Sequence, residues 1–196
     1  MSDSRFWRFS VMPIQRAKPK FSDVKNVSIA ASTLPSGTIL QVQHVQLDSP
    51  ETISGYSSNT STAIDSTAIN ITPAATNSKI LLEAQVTFEC ANYPWAQIWF
   101  FFRDSTKLGH ATTGNRLVGV GIPTVSHHGD YGGNTSDQVT LRYVDSPSTT
   151  SQITYKIGFH MASQTNALYL NRNTGDANTV DYTRGVSTFI ATEIKG

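Results

Sequence analysis

A chain of 196 residues suits one all-β domain with an additional segment, and it can bury a core without disulfide or metal staples. Its 15 basic and 14 acidic residues nearly cancel, which removes the broad positive field that nucleic-acid binding relies on. Charged residues are only 15% of the chain, Ser and Thr fill the gap, and the single cysteine, Cys90, excludes an intramolecular disulfide framework.

Charge is unevenly placed. Residues 1–25 hold Arg5, Arg8, Arg16, Lys18, Lys20 and Lys25 against Asp3 and Asp23, a net of +4 that leaves −3 for the rest. Phe6, Trp7, Phe9 and Phe21 are interspersed, and Pro13 and Pro19 interrupt any helix. With neither helical nor alternating periodicity, residues 1–37 read as an extended arm ending at the Pro35-Ser36-Gly37 turn. Disordered tails avoid aromatics, whereas such an arm orders by adding a strand to a partner or seating rings in its grooves. Arg5, Phe6, Trp7, Arg8, Phe9 and Phe21 are therefore the candidate anchor to another protein. The opening MSDSRFWRFSVMPIQ lacks a secretory core, and no apolar run approaches the roughly 20 residues of a membrane helix. The expectation is a soluble chain made in a reducing cytosol, in which the Asn-x-Ser/Thr sites at Asn26, Asn59, Asn70 and Asn134 carry no meaning.

From Thr38 the pattern is one of short strands. TILQVQHVQL (38–47) alternates, with Val42 and Gln41 competing for the buried face, and AINIT (68–72) is short and β-branched. KILLEAQVTFECA (79–91) places Ile80, Leu82, Ala84, Val86, Phe88 and Cys90 at every second position. WAQIWFFFRD (95–104) is continuously apolar, as a strand covered on both faces would be, and a polar turn follows over residues 103–107. The connector 105–135 is long enough to be functional or to hide a strand at LVGVG (117–121). QVTLRYV (138–144), ITYKIGFHM (153–161), ALYL (167–170) and VSTFIATEI (186–194) complete the set. The stretch YVDSPSTTSQITYKIGFHM (143–161) reads as a hairpin with a Ser/Pro/Thr turn. The fold class is all-β, an antiparallel β-sandwich of jelly-roll kind over residues 38–196 with an extended N-terminal arm.

No constellation for chemistry emerges. His127, His128 and Asp130 are adjacent rather than convergent, so the sequence predicts no metal and no cofactor. Cys90 falls on an inward face, no Gly-x-Ser-x-Gly elbow occurs, and no two carboxylates are brought together, so no catalytic residue is predicted. His127, His128, Asp130 and Tyr131 in the long connector are the candidate host or glycan contact. Tyr93, Trp95 and Trp99 share one side of a strand, as core or as subunit contact, and the aromatic excess over 93–102 favours a homotrimer with these residues near its interface.

Four strings carry a resemblance: ITPAATNSKILLEAQVTFE (71–89), FFRDSTKLG (101–109), LRYVDSPSTTSQITYKIGFHM (141–161) and STFIATEIKG (187–196). In order and spacing over residues 38–196 the chain resembles small structural proteins of tailed bacteriophages. The matching positions are Ser78-Lys79-Ile80-Leu81, Arg103-Asp104, Asp145-Ser146-Pro147, Thr154-Tyr155-Lys156 and Glu193-Ile194, all of them fold determinants. The resemblance implies a virion protein made in the bacterial cytoplasm, typically trimeric, serving as tail fibre, receptor-binding tip or head (capsid) decoration. The expected partners are further copies of itself, another virion protein (tail, portal-region adaptor or capsid) through residues 1–37, and a host surface glycan, with neither nucleic acid nor membrane. A non-catalytic carbohydrate-binding module is the alternative function.

Overall fold

The computed structural model describes residues 30–57, 59–90, 97–112, 114–123, 133–162 and 167–196. Ten strands occur among them: β1 (Ile39–Leu47), β2 (Glu51–Ser54), β3 (Ser61–Ile71), β4 (Lys79–Cys90), β5 (Gln97–Arg103), β6 (Thr106–Leu108), β7 (Asp137–Asp145), β8 (Ile153–Met161), β9 (Ala167–Leu170) and β10 (Ser187–Ile194). They form two antiparallel sheets, a larger one in which β4 pairs with β10, β9 and β7, and a smaller one ordered β3-β8-β5-β6. No helix among the described residues is long and apolar enough to cross a membrane.

β1 and β2 run in line along the outer edge, facing β10 and β9, which also run in line. The break in the first pair falls at Asp48-Ser49-Pro50, and Asn171 holds it by donating from Nδ2 to the carbonyls of Leu47 at 2.8 Å and Ser49 at 3.1 Å. Counted this way, the pairings are nested like one long hairpin: β1/β2 with β9/β10, β3 with β8, β4 with β7, and β5 with β6. Alternate pairs lie in opposite sheets, so successive strands counted this way lie in opposite sheets except β5 and β6, which a tight turn joins. That turn places Asp104 at φ 52°, a conformation Asp tolerates better than most residues.

The hairpin expected over 143–161 is therefore corrected. β7 pairs with β4, β8 pairs with β3 and β5, and residues 146–152 carry the chain between the sheets. Both strands have apolar faces, and placing them in opposite sheets lets Val139 and Leu141 meet the core from one side while Ile153, Ile157 and Phe159 meet it from the other. LVGVG is no strand. Its contact with β5 is a single bridge between Gly121 and Trp99, whose carbonyl also accepts from the Val120 N–H at 2.8 Å.

The even positions of β4 from Ile80 to Phe88 are buried as the alternation predicted, opposite Trp99, Phe101, Tyr155 and Phe159. β5 is covered on both faces: Trp99 and Phe101 point into the sandwich, while Ile98 and Phe100 are also buried. Phe100 lies across Gly158 of β8, where an added Cβ would fall 2.7 Å from its ring, and Lys107 Nζ sits 4.1 Å from the ring centre. The disputed face of β1 is settled by its register. Gln41, Gln43, Val45 and Leu47 pair with inward residues of β10, leaving Val42 outside and 50% exposed.

The compact β unit begins at Ala31. Residues 31–37, which the sequence reading placed at the end of the arm, are tied to the last strand. Gly37 donates to the carbonyl of Lys195 at 2.8 Å, and the Lys195 ammonium donates to the carbonyls of Ser32 at 3.0 Å and Leu34.

Candidate functional site

Most candidate residues from the sequence lie outside the described residues: Arg5, Phe6, Trp7, Arg8, Phe9 and Phe21 of the arm, His127, His128, Asp130 and Tyr131 of the connector, and Tyr93 and Trp95. Trp99 is described, and its assignment to a subunit interface is corrected. It is 0% exposed within the single chain, its ring centre 4.6 Å from Phe88 and 5.6 Å from Phe159. Its indole N–H donates to Gln97 Oε1 at 3.1 Å, so the one polar atom is also satisfied internally. Inward pleat direction, shared with Phe101, decides this placement.

Several of the motif positions singled out in the sequence meet in space. Arg103 Nη1 donates to both Asp145 oxygens at 3.0 and 3.1 Å, joining the two sheets. The Tyr155 hydroxyl adds a 2.7 Å bond to Asp145, and burial together with this bond pushes its phenol well above the ordinary tyrosine range. Asp104 and Thr154 exchange two bonds, one at 2.8 Å between backbones and one at 3.0 Å from the Thr154 N–H to the Asp104 carboxylate. Lys79 donates to Ser146 at 2.8 Å. Glu193, 0% exposed, accepts from Gln41 at 2.6 Å and from the Ala74 N–H at 2.7 Å. These contacts lock the end of the sandwich where β4 and β8 begin and β10 ends.

At the opposite end the chain between β9 and β10 folds over the outer face of the larger sheet. Parity points Glu89 outward, yet it is 4% exposed because this excursion and residues 135–136 cover it. Among the described residues the carboxylate accepts four bonds and pairs with no cation: Thr135 N–H and hydroxyl at 3.2 Å, Asn173 Nδ2 and Thr174 N–H at 2.9 Å. Asn173 also donates to Ser136 and accepts from the Thr183 hydroxyl, so the base of the excursion is rigidly cross-linked.

Held on this base is a polar pocket of about 410 Å³ lined by Asp176, Ala177, Asn178, Thr179, Tyr182 and Arg184. Arg184 grips Asp176 through Nε at 3.2 Å and Nη2 at 3.0 Å. The Tyr182 ring lies on the main chain of Gly175, where any Cβ would come within 2.2 Å of it, so glycine is what lets the ring form a wall. A planar aromatic beside amide, hydroxyl, guanidinium and carboxylate groups is the chemistry that engages sugar hydroxyls and sugar faces. Sequence reading did not single out this loop. Its only signal was a connector rich in Asn, Asp, Arg and Thr without a motif.

One arrangement resembles a hydrolase relay. His160 Nε2–H faces Asn59 Oδ1 at 3.1 Å, which leaves Nδ1 to accept from the Ser61 hydroxyl at 3.2 Å. Burial, and then the charge of Lys107, hold His160 below the usual histidine range, so the ring is neutral at neutral pH. Ser61 is nonetheless exposed on a pleated outer face and directly opposite His160 in the ladder, the geometry of a cross-strand pair rather than of a nucleophile in a water-excluding cleft with oxyanion donors. Burial pushes the Cys90 thiol above its ordinary range, away from thiolate chemistry. No group of three His, Cys, Asp or Glu side chains fit to hold a metal occurs among the described residues.

No protein-family model matches the chain, and no curated protein is significantly similar to it.

Proposed function

We propose that this chain is a non-catalytic structural protein of a bacteriophage particle: a jelly-roll β-sandwich on the virion surface, as tail fibre, appendage or head decoration, attached through its N-terminal segment. The observation that carries the reading is the way the motif positions of the phage resemblance engage one another. Arg103 with Asp145 and Tyr155, Asp104 with Thr154, and Lys79 with Ser146 are separate motifs in sequence and direct partners in space. A shared pattern whose members form one interlocked network is what inheritance of a fold would leave. The nested order of eight composite strands supports the jelly-roll assignment.

Deleting residues 2–30 stops just before the compact unit and should leave the β domain folded while abolishing incorporation into particles. Trp7→Ala alone should weaken incorporation. Normal decoration of virions by the truncated protein would move the anchor onto the β domain and defeat the reading of the arm.

A second reading, recognition of a host glycan without cleavage, is favoured by the pocket at Asp176, Tyr182 and Arg184. Arg184→Ala should reduce adsorption to host cells at least about tenfold, the effect of losing roughly 1.4 kcal/mol of contact energy. Full adsorption by the variant would remove the pocket from the reading, and release of reducing ends from host polysaccharide would make the protein an enzyme. Burial of Trp99 takes that one residue out of the argument for a trimer, while Tyr93 and Trp95 lie outside the described residues.

A further inference from the structure

We propose that β1 is a pairing edge through which two copies of this chain join their larger sheets, an inference independent of the virion reading. An edge strand presents unpaired N–H and C=O groups that template another strand, and proteins blunt such edges with charges, bulges, prolines or shortness. Among the described residues the sheets end on four edges, formed by β1/β2, β7, β3 and β6.

Three of these edges are blunted. β7 carries Asp137, Arg142 and Asp145. β3 carries Asp65 and breaks its register between Ile64 and Ile69. β6 is 3 residues long and one of them is Lys107. β1 differs on every count: 9 residues, ILQVQHVQL, with no Asp, Glu, Lys, Arg, Pro or Gly. Its one irregularity lies between Ile39 and Gln41, and from Gln41 to Leu47 it follows β10 without a break. The protective residues Asp48, Pro50 and Glu51 begin only where β1 has ended.

A second copy fits this edge better than a charged partner does. Two-fold antiparallel pairing centred on Gln43 uses the whole strand of both copies, setting Ile39 opposite Leu47, Gln41 opposite Val45 and Val42 opposite His44. No like charges meet. The same operation on β7 would set Asp137 against Asp145, which is destabilising. Val42, 50% exposed, would gain a neighbour in His44 of the second copy, and His44 already stands beside Ile190, itself 36% exposed. The neutral band on the outer face of one sheet would thus continue onto the next, and a two-fold contact closes after two copies.

The test is sedimentation equilibrium of the full chain over a wide concentration range. The wild type should show a dimer. Gln43→Lys and Gln43→Glu each place like charges face to face at the centre of the contact, and each should weaken association by about tenfold or more while thermal unfolding of the chain is unchanged. Mixing the two variants in equal amounts opposes Lys to Glu and should restore the dimer. A monomeric wild type, an assembly of any size whose mass neither substitution alters, or a mixture that stays monomeric would overturn the proposal.

Discussion

Replacing Arg103 by methionine should lower the free energy of unfolding by about 3–5 kcal/mol, the usual cost of leaving one buried partner of an ion pair uncompensated. Asp145 is 5% exposed and sits at the junction of the two sheets. Without the two bonds from Arg103 Nη1 its charge would be met, among the described side chains, only by the Tyr155 hydroxyl. Methionine keeps most of the side-chain volume, so the loss would report the charge rather than a cavity. Tyr155→Phe should cost less, about 1.5–3 kcal/mol, because it removes one hydrogen bond to a carboxylate and leaves the cation in place. Urea titrations with unchanged slope would measure both. Adding Asp145→Leu to Arg103→Met should recover much of the loss, since a well-packed apolar pair often matches a buried ion pair. A loss below about 1 kcal/mol for Arg103→Met would mean that water screens Asp145.

Trp99→Ala should cost about 3–5 kcal/mol, the range for deleting a large aromatic from a packed core. Trp99 touches Phe88 of one sheet and Phe159 of the other, so its removal opens a void between the layers. It also leaves Gln97 Oε1 without its donor at a position only 5% exposed. The drop in melting temperature should not depend on protein concentration, because the lost contacts lie within one chain. A variant with native stability as monomer and impaired association would instead return Trp99 to a subunit interface. The conservative Trp99→Phe should fall between wild type and alanine.

Local pattern carried the strands whose sequence states their own periodicity. In β4 the alternation from Ile80 to Phe88 could be read directly, and β8 and β9 have the bounds that ITYKIGFHM and ALYL announced. The continuous apolar run of β5 correctly signalled cover on both faces. β2, with four residues and mixed polarity, has no such signal, and it is a strand only because β9 lies beside it. The candidate pocket was illegible for a related reason. Asp176, Tyr182 and Arg184 form a wall only once Asn171, Asn173 and Glu89 hold the base of their loop, and Glu89 comes from a distant stretch of chain, β4.

By itself, then, the amino-acid sequence determined the all-β class, the inward residues of the alternating strands, and the polar turns that separate them, because pleat direction and turn chemistry are settled between neighbours in the chain. It also marked Arg103, Asp145 and Tyr155 as residues of one pattern. Tertiary structure decided which sheet each strand joins. Adjacent strands 7 and 8 look like a hairpin, but their apolar faces are buried best when one strand lies in each layer. It decided that outward-pointing Glu89 is buried and that inward Trp99 serves the core of one chain rather than a contact between chains. It decided as well which edge is left unguarded among the described residues, since β1 is neutral in sequence but becomes an edge only because β10 takes one of its two sides and no described strand takes the other. Each of these depends on contacts between residues far apart in the chain, whose free energy is set by burial and partner geometry after the layers close.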